Sequence, residues 1–156
     1  MEELSTQRKK CSKLLHEGRF EEALRCFDKV LEIDPHDRIA WVNKGSSLIC
    51  LHRREEALRC YDKVLEIDPY DTRIWREKGA LLSLMHRQEE AKKCYNEALR
   101  CFDAELEISP YNASLWREKG ALLSLMHRQE EAKKCYNEAT KIEIIDNHIR
   151  DLTRKG

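Results

Sequence analysis

Apolar residues recur at three- and four-residue steps along most of the chain, broken only by short polar turns. Between Arg54 and Ile67, the positions Ala57, Tyr61, Val64, Leu65 and Ile67 follow this spacing, which predicts an amphipathic helix with one buried stripe. Pro69 ends that helix, because proline has no N–H to continue the ladder, and Asp71 is placed to cap the next. The same pattern predicts a preceding helix from Arg38 to Leu51, with His52 and Arg53 as the turn. The unit is a helical hairpin.

The hairpin repeats. Trp41, Trp75 and Trp116 are matched by Gly45, Gly79 and Gly120, then Ala57, Ala91 and Ala132, then Tyr61, Tyr95 and Tyr136, and Pro35, Pro69 and Pro110 close the units. The tryptophans are separated by 34 and then 41 residues. A period in this range marks stacked supersecondary units, none of which can bury its stripe alone. Frames begin at Leu4, Arg38, Thr72 and Ala113. Gly45 and Ala57 let the two axes of a hairpin approach, Tyr61 fills the space beside them, and Trp41 offers a broad apolar face to a neighbour. The first frame carries Gln7 for the tryptophan and Cys11 for the glycine, but keeps Gly18, Ala23, Phe27 and Pro35. Such decay is expected of a terminal unit with one neighbour missing.

This pattern resembles the tetratricopeptide repeat, whose signature is Trp-x2-Leu-Gly-x2-Tyr, Ala-x3-Phe and Pro over 34 residues. Here it stands as Trp41-x2-Lys44-Gly45-x2-Leu48, Ala57-x3-Tyr61 and Pro69. The resemblance covers residues 4–146 and implies an all-α fold, an alpha-alpha solenoid wound as a right-handed superhelix of four hairpins. The units are 4–37, 38–71, 72–112 and 113–146, with 147–156 as a C-terminal capping helix or tail. Ile142, Ile145, Ile149 and Leu152 have helical spacing there, and would either continue the last helix or, after a break near Asp146–Asn147, form a separate cap. The family's leucine is lysine at Lys44, Lys78 and Lys119, whose stems can still cover apolar surface. The turn glycine, present as Gly18, is replaced by His52, His86 and His127, which tolerate a left-handed backbone better than most residues.

Segments 75–98 and 116–139 are identical, yet lie 41 residues apart. The stretch between them reads as a second helix ending, since Ala98-Leu-Arg-Cys-Phe-Asp matches Ala23-Leu-Arg-Cys-Phe-Asp. The third unit's second helix should therefore run from Gln88 to Ile108. Seven extra residues add about 10 Å and rotate the stripe by only about 20°, so Ala91, Tyr95, Ala98, Phe102 and Leu106 stay on one side. The fourth hairpin is then expected to start two turns further out and to miss its usual contacts with the third. Either it slides along the long helix, or surface uncovered near Tyr95 and Phe102 seats a partner or a second copy of the chain. Glu105 replaces the apolar Val30 and Val64 of other units, which predicts a less buried turn.

Composition narrows the function. Lys+Arg and Asp+Glu are 29 each, so there is no net charge to draw the chain to nucleic acid or an anionic membrane. No apolar run approaches the roughly 20 residues of a membrane span, and Met1 to Lys10 lacks the apolar core of a secretion signal. A cytoplasmic home with free thiols follows as an expectation for the seven cysteines. Cys26, Cys60, Cys94 and Cys135 share one frame position, and Cys101 repeats it in the long helix; a ladder made by duplication is not a metal-ligand cluster. Asn112-Ala113-Ser114 spells a glycosylation acceptor but reads better as a helix start. No positioned base, oxyanion site or phosphate loop accompanies the thiols, so neither catalysis nor a cofactor or metal is expected.

Recognition of a protein or peptide remains. In the resembling family, the inner face of each hairpin's first helix lines a peptide groove. Here that face would comprise Ser5, Arg8, Ser12 and Leu15; Ile39, Val42, Ser46 and Ile49, with Asn43 beside them; Arg73, Arg76, Ala80 and Ser83; and Ser114, Arg117, Ala121 and Ser124. No carboxylate falls on those frame positions, so Arg8, Asn43, Arg73, Arg76 and Arg117 predict an acidic peptide or free carboxylate as ligand. Glu77 and Glu118 could instead neutralise the arginines locally. The chaperone-tail clamp of the family wants Lys, Asn, Asn, Lys and Arg where this chain has Arg8, Ser12, Asn43, Arg73 and Glu77, a poor match. A self-associating assembly unit, with Tyr95 and Phe102 at the contact, is the alternative.

Overall fold

The structure is a computed structural model and describes residues 2–154. Among these, helices follow one another as α1 (Glu2–His16), α2 (Phe20–Ile33), α3 (Arg38–Cys50), α4 (Arg54–Ile67), α5 (Thr72–Leu84), α6 (Gln88–Ile108), α7 (Ala113–Leu125) and α8 (Gln129–Arg154). Each odd helix pairs with the even helix after it, and consecutive hairpins stack into an all-α solenoid. No helix among the described residues is long and apolar enough to cross a membrane.

Local chemistry explains each boundary. Asp37 and Asp71 accept bonds from the Ala40 and Ile74 amides at 3.0 Å, and Asn112 accepts from Ser114 and Leu115. These are N-caps, so the Asn112 sequence is a helix start. The turn inside each hairpin needs one left-handed residue. Gly18 supplies it at φ +76°, and His52, His86 and His127 supply it at 58° to 60°. Around them the amides bond backward in a Schellman pattern: Arg53 N–H reaches Leu48 O at 2.8 Å and His52 N–H reaches Ile49 O at 3.0 Å. Between hairpins, each tryptophan Nε1 donates to the proline carbonyl six residues earlier: Trp41 to Pro35, Trp75 to Pro69 and Trp116 to Pro110, at 2.8 to 2.9 Å.

Close approach within the hairpins depends on glycine. A Cβ on Gly45 would stand 3.1 Å from the Tyr61 ring, on Gly79 2.5 Å from Tyr95, and on Gly120 2.9 Å from Tyr136. A continuous core runs from Leu24 and Val42 through Tyr61, Ile74, Tyr95 and Phe102 to Leu123 and Cys135. At the first unit the same crossing point is chemically different. Cys11 occupies the glycine position and faces Cys26, and the two are joined in a disulfide with their Cα atoms 5.4 Å apart. Elsewhere a Cβ at that position would lie 3.4 Å from the Cys60 Cβ, so placing a cysteine there brings two sulfurs together. The expectation that all the thiols are free fails for this pair.

The long helix is where sequence and structure differ most usefully. α6 is unbroken from Gln88 to Ile108, as its pattern required. Its second half, Ala98 to Ile108, repeats the α4 register, so the inserted segment is Ala91 to Glu97. The fourth hairpin does meet the third, against this second half. Lys44, Lys78 and Lys119 each reach the aspartate sixteen residues before them in the preceding even helix: Asp28 at 2.6 Å, Asp62 at 2.5 Å, and Asp103. The junction contacts are thus rebuilt seven residues later, and the expected loss of neighbour contacts is confined to the first half of α6. Phe102 is correspondingly buried in the core, with 1% of its surface exposed, and cannot form the open contact expected of it. Glu105 is half-buried, its carboxylate accepting from the Thr72 hydroxyl at 2.6 Å.

α8 passes Asp146–Asn147 without interruption. The segment expected as a cap is therefore a continuation: Ala139 and Ile142 are buried, while Ile145, Ile149 and Leu152 face solvent. Residues 155–156 of the expected tail lie outside the described residues.

Candidate functional site

The odd helices bring the predicted groove residues together unevenly. In the first two units, Ser5, Arg8, Ser12 and Ile39 line one concavity of about 600 Å3, and Asn43 donates to the Ser12 hydroxyl at 3.3 Å. Arg8, however, pairs with the buried carboxylate of Asp37 at 3.3 Å. That aspartate also caps α3, so Arg8 is occupied in joining two hairpins, a role its sequence position did not reveal.

Further along, Arg76 meets Glu118 across the α5–α7 gap at 3.3 Å, and Arg117 meets Glu143 of α8 at 2.6 Å. Both arginines remain substantially exposed, with side chains 41% and 56% accessible. The local neutralisation foreseen for Glu118 therefore runs across helices, to Arg76. Burial, together with the charge of Glu77, pushes the Tyr61 phenol pKa well up. Arg73 is exposed and takes part in no salt bridge among the described residues; its charge is felt by Tyr61.

Each lysine of the ladder has a second partner. The ammonium groups of Lys44, Lys78 and Lys119 sit 5.1, 5.5 and 5.5 Å from the ring centroids of Trp41, Trp75 and Trp116. A lysine at the family's leucine position thus bridges its own tryptophan to the preceding hairpin. At the turns, Arg19, Arg53, Arg87 and Arg128 fork onto Glu22, Glu56, Glu90 and Glu131 at 2.6 to 2.7 Å. These bonds hold all four carboxyls below the usual carboxylate range.

The cysteine ladder is inward-facing. Burial pushes the Cys60 thiol up to about 11 and raises Cys94, Cys101 and Cys135 as well. Those thiols stay protonated at neutral pH and act as small apolar side chains. Cys50 is the exposed free thiol.

The uncovered surface expected along the long helix takes the form of a cleft beside Tyr95. Because the fourth hairpin rests on the second half of α6, the first half has nothing stacked beyond it. A cleft of about 960 Å3 opens there, walled by Leu84 and Ala80 of α5, Tyr95 and Lys92 of α6, and Leu125 and Met126 at the α7–α8 turn. The signal was present in the seven-residue offset, but its consequence depends on which half of α6 the next hairpin selects. Tyr95, expected to be uncovered, is 8% exposed and forms the cleft floor.

Comparison with known proteins places the fold. The sequence model described as tetratricopeptide repeat matches residues 14–81. No curated protein matches the chain by sequence. Among solved structures, the type III secretion translocator chaperone SycD of Yersinia enterocolitica superposes with a TM-score of 0.68 at 15% identity, over 84% of this chain and 96% of that one. MamA from Desulfovibrio magneticus RS-1 gives 0.58 at 17% identity, over 90% and 75%. The first repeat module of Spaghetti (RPAP3), bound to the HSP90 peptide SRMEEVD, gives 0.59 at 22% identity, over 80% and 93%.

Proposed function

From the tetratricopeptide-repeat match over residues 14–81 and the shared solenoid fold, we propose that the chain is a non-catalytic scaffold holding an extended acidic peptide along its odd helices. The observation that carries this reading is Arg73, an exposed guanidinium on the inner frame position that takes part in no salt bridge among the described residues. Arg76 and Arg117 flank it, each held by a single exposed glutamate that a ligand carboxylate can displace. The small residues Ala121 and Ser124 leave room for a peptide backbone beside the arginines. The similar Spaghetti module was solved with a peptide carrying two glutamates and an aspartate, which supports the same ligand chemistry here. Arg8 contributes to joining the hairpins rather than to capture, and the chaperone-tail clamp is correspondingly disfavoured.

The test is a fluorescence-anisotropy titration with labelled acidic, basic and scrambled peptides of equal length. Wild-type protein should select the acidic peptide, with affinity falling as salt rises. Arg73→Glu combined with Arg76→Glu should weaken binding by about a hundredfold or more while leaving the helical circular dichroism unchanged. Equal affinity of the double variant would place capture on another surface.

A further inference from the structure

Among the described residues, a cleft and a helix stripe, both apolar, are left uncovered, and neither can cover the other within one molecule. The first is the cleft between the third and fourth hairpins. Its size follows from its cause: Ala91 to Glu97 hold the fourth hairpin seven residues down α6, a displacement of about 10 Å. Two turns of helix about 10 Å across occupy roughly 800 Å3, close to the 960 Å3 of the cleft. The void is about as large as the stretch of helix that the displacement removes. Leu84 and Leu125, at 66% and 58% exposure, stand on facing walls.

The second surface is the end of α8. Past Ile142, the stripe Ile145, Ile149 and Leu152 continues at helical spacing and is 53% to 60% exposed. α8 starts at the cleft, since Arg128 lines it immediately before Gln129. At 1.5 Å per residue, the stripe lies about 24 to 35 Å away along the same helix. A straight helix cannot fold back on its own beginning, so any α8 end that fills the cleft belongs to another molecule.

We propose that the cleft receives the last turns of α8 from a second copy of the chain, in a reciprocal two-fold dimer. The geometry favours closure. Cleft and stripe sit at opposite ends of one helix, so two α8 helices laid antiparallel bring both cleft–stripe pairs into register together. Charges of both signs can pair across this contact: Asp146 and Arg150 border the stripe, and Lys92 and Glu89 line the cleft, while Arg128 is already held by Glu131. Burying six aliphatic side chains, three from each copy, supplies the apolar centre such an interface needs.

Sedimentation equilibrium over a wide concentration series tests the proposal. Wild-type chain should reach twice its own mass. Leu125→Glu in the cleft and Ile149→Glu on the stripe alter exposed side chains outside the core, so both variants should fold. Each should raise the dimer dissociation constant by about a hundredfold. A photo-crosslinking residue at position 84 should capture the partner's peptide that contains Ile149. Wild-type chain of single mass throughout, a dimer of unchanged strength in both variants, or a crosslink to anything other than the end of α8 would overturn the proposal. None of these results bears on Arg73, whose reversal should abolish peptide capture and leave the dimer intact.

Discussion

At the scale of single residues, the same sequence position carries different energetic weight according to what lies behind it. Gly79 and Gly120 both abut a tyrosine ring, at 2.5 and 2.9 Å from a notional Cβ. Tyr95 is buried while Tyr136 is 38% exposed. The Tyr95 ring, although it forms the cleft floor, is the more enclosed of the two, and the Tyr136 ring can swing further toward solvent. Gly79→Ala should therefore destabilise the chain by about 1–3 kcal/mol, as overpacking of a close crossing does, and Gly120→Ala by clearly less. Urea unfolding followed by circular dichroism ranks the two, and equal losses would mean that Tyr136 is held as tightly as Tyr95. Cys11 is a third outcome at this position, where the side chain becomes a covalent link to Cys26.

At the scale of elements, the turns are built twice over, by a left-handed residue and by an arginine–glutamate fork three residues apart. The fork lowers the pKa of Glu22, Glu56, Glu90 and Glu131 below the ordinary 4.5. A carboxyl depressed in the folded state stabilises fully above its unfolded value and loses that contribution as pH falls through its folded value. Melting temperature should thus be level above about pH 5 and fall below pH 4.5. Glu56→Gln with Glu90→Gln should flatten part of that acid slope, and a carbon-detected titration should find the wild-type carboxyls below 4.5. The hairpin helices, the helix starts at Asp71 and Asn112, and the His52, His86 and His127 turns were legible in the sequence, because each depends on residues within a few positions; the unbroken run of α8 past Asp146 was left open. The disulfide was not legible, since duplication made Cys26 look like one rung of a ladder and Cys11 look like a decayed glycine. Arg8 was misassigned for a related reason: its partner Asp37 is contributed by the next hairpin, across a packing interface that periodicity alone cannot resolve.

At the scale of the whole molecule, the seven residues Ala91–Glu97 are a spacer that leaves both flanking junctions chemically intact. Without them, Gln88-Glu89-Glu90 would run directly into Ala98-Leu99-Arg100-Cys101-Phe102-Asp103, restoring the pattern of Arg54-Glu55-Glu56 followed by Ala57-Leu58-Arg59-Cys60-Tyr61-Asp62. Phe102 would take the place of Tyr95 against Gly79, and Asp103 would still meet Lys119. A chain deleted of residues 91–97 is therefore expected to fold into a regular four-hairpin stack, at least as resistant to urea as the wild type. Nearest-neighbour coupling between the third and fourth hairpins should rise, seen as a steeper, single unfolding transition. The cleft should close at the same time, because the α7–α8 turn would return to the level of the α5–α6 turn. If the dimer depends on that cleft, the deleted chain must be monomeric at concentrations where the wild type pairs, even though its α8 stripe is unchanged. Peptide capture through Arg73 and Arg76 lies on α5 and should persist. Loss of folding on deletion would show instead that the first half of α6 supports packing that Ala98–Ile108 cannot replace, and the insertion would then be structural rather than a device for opening a binding surface.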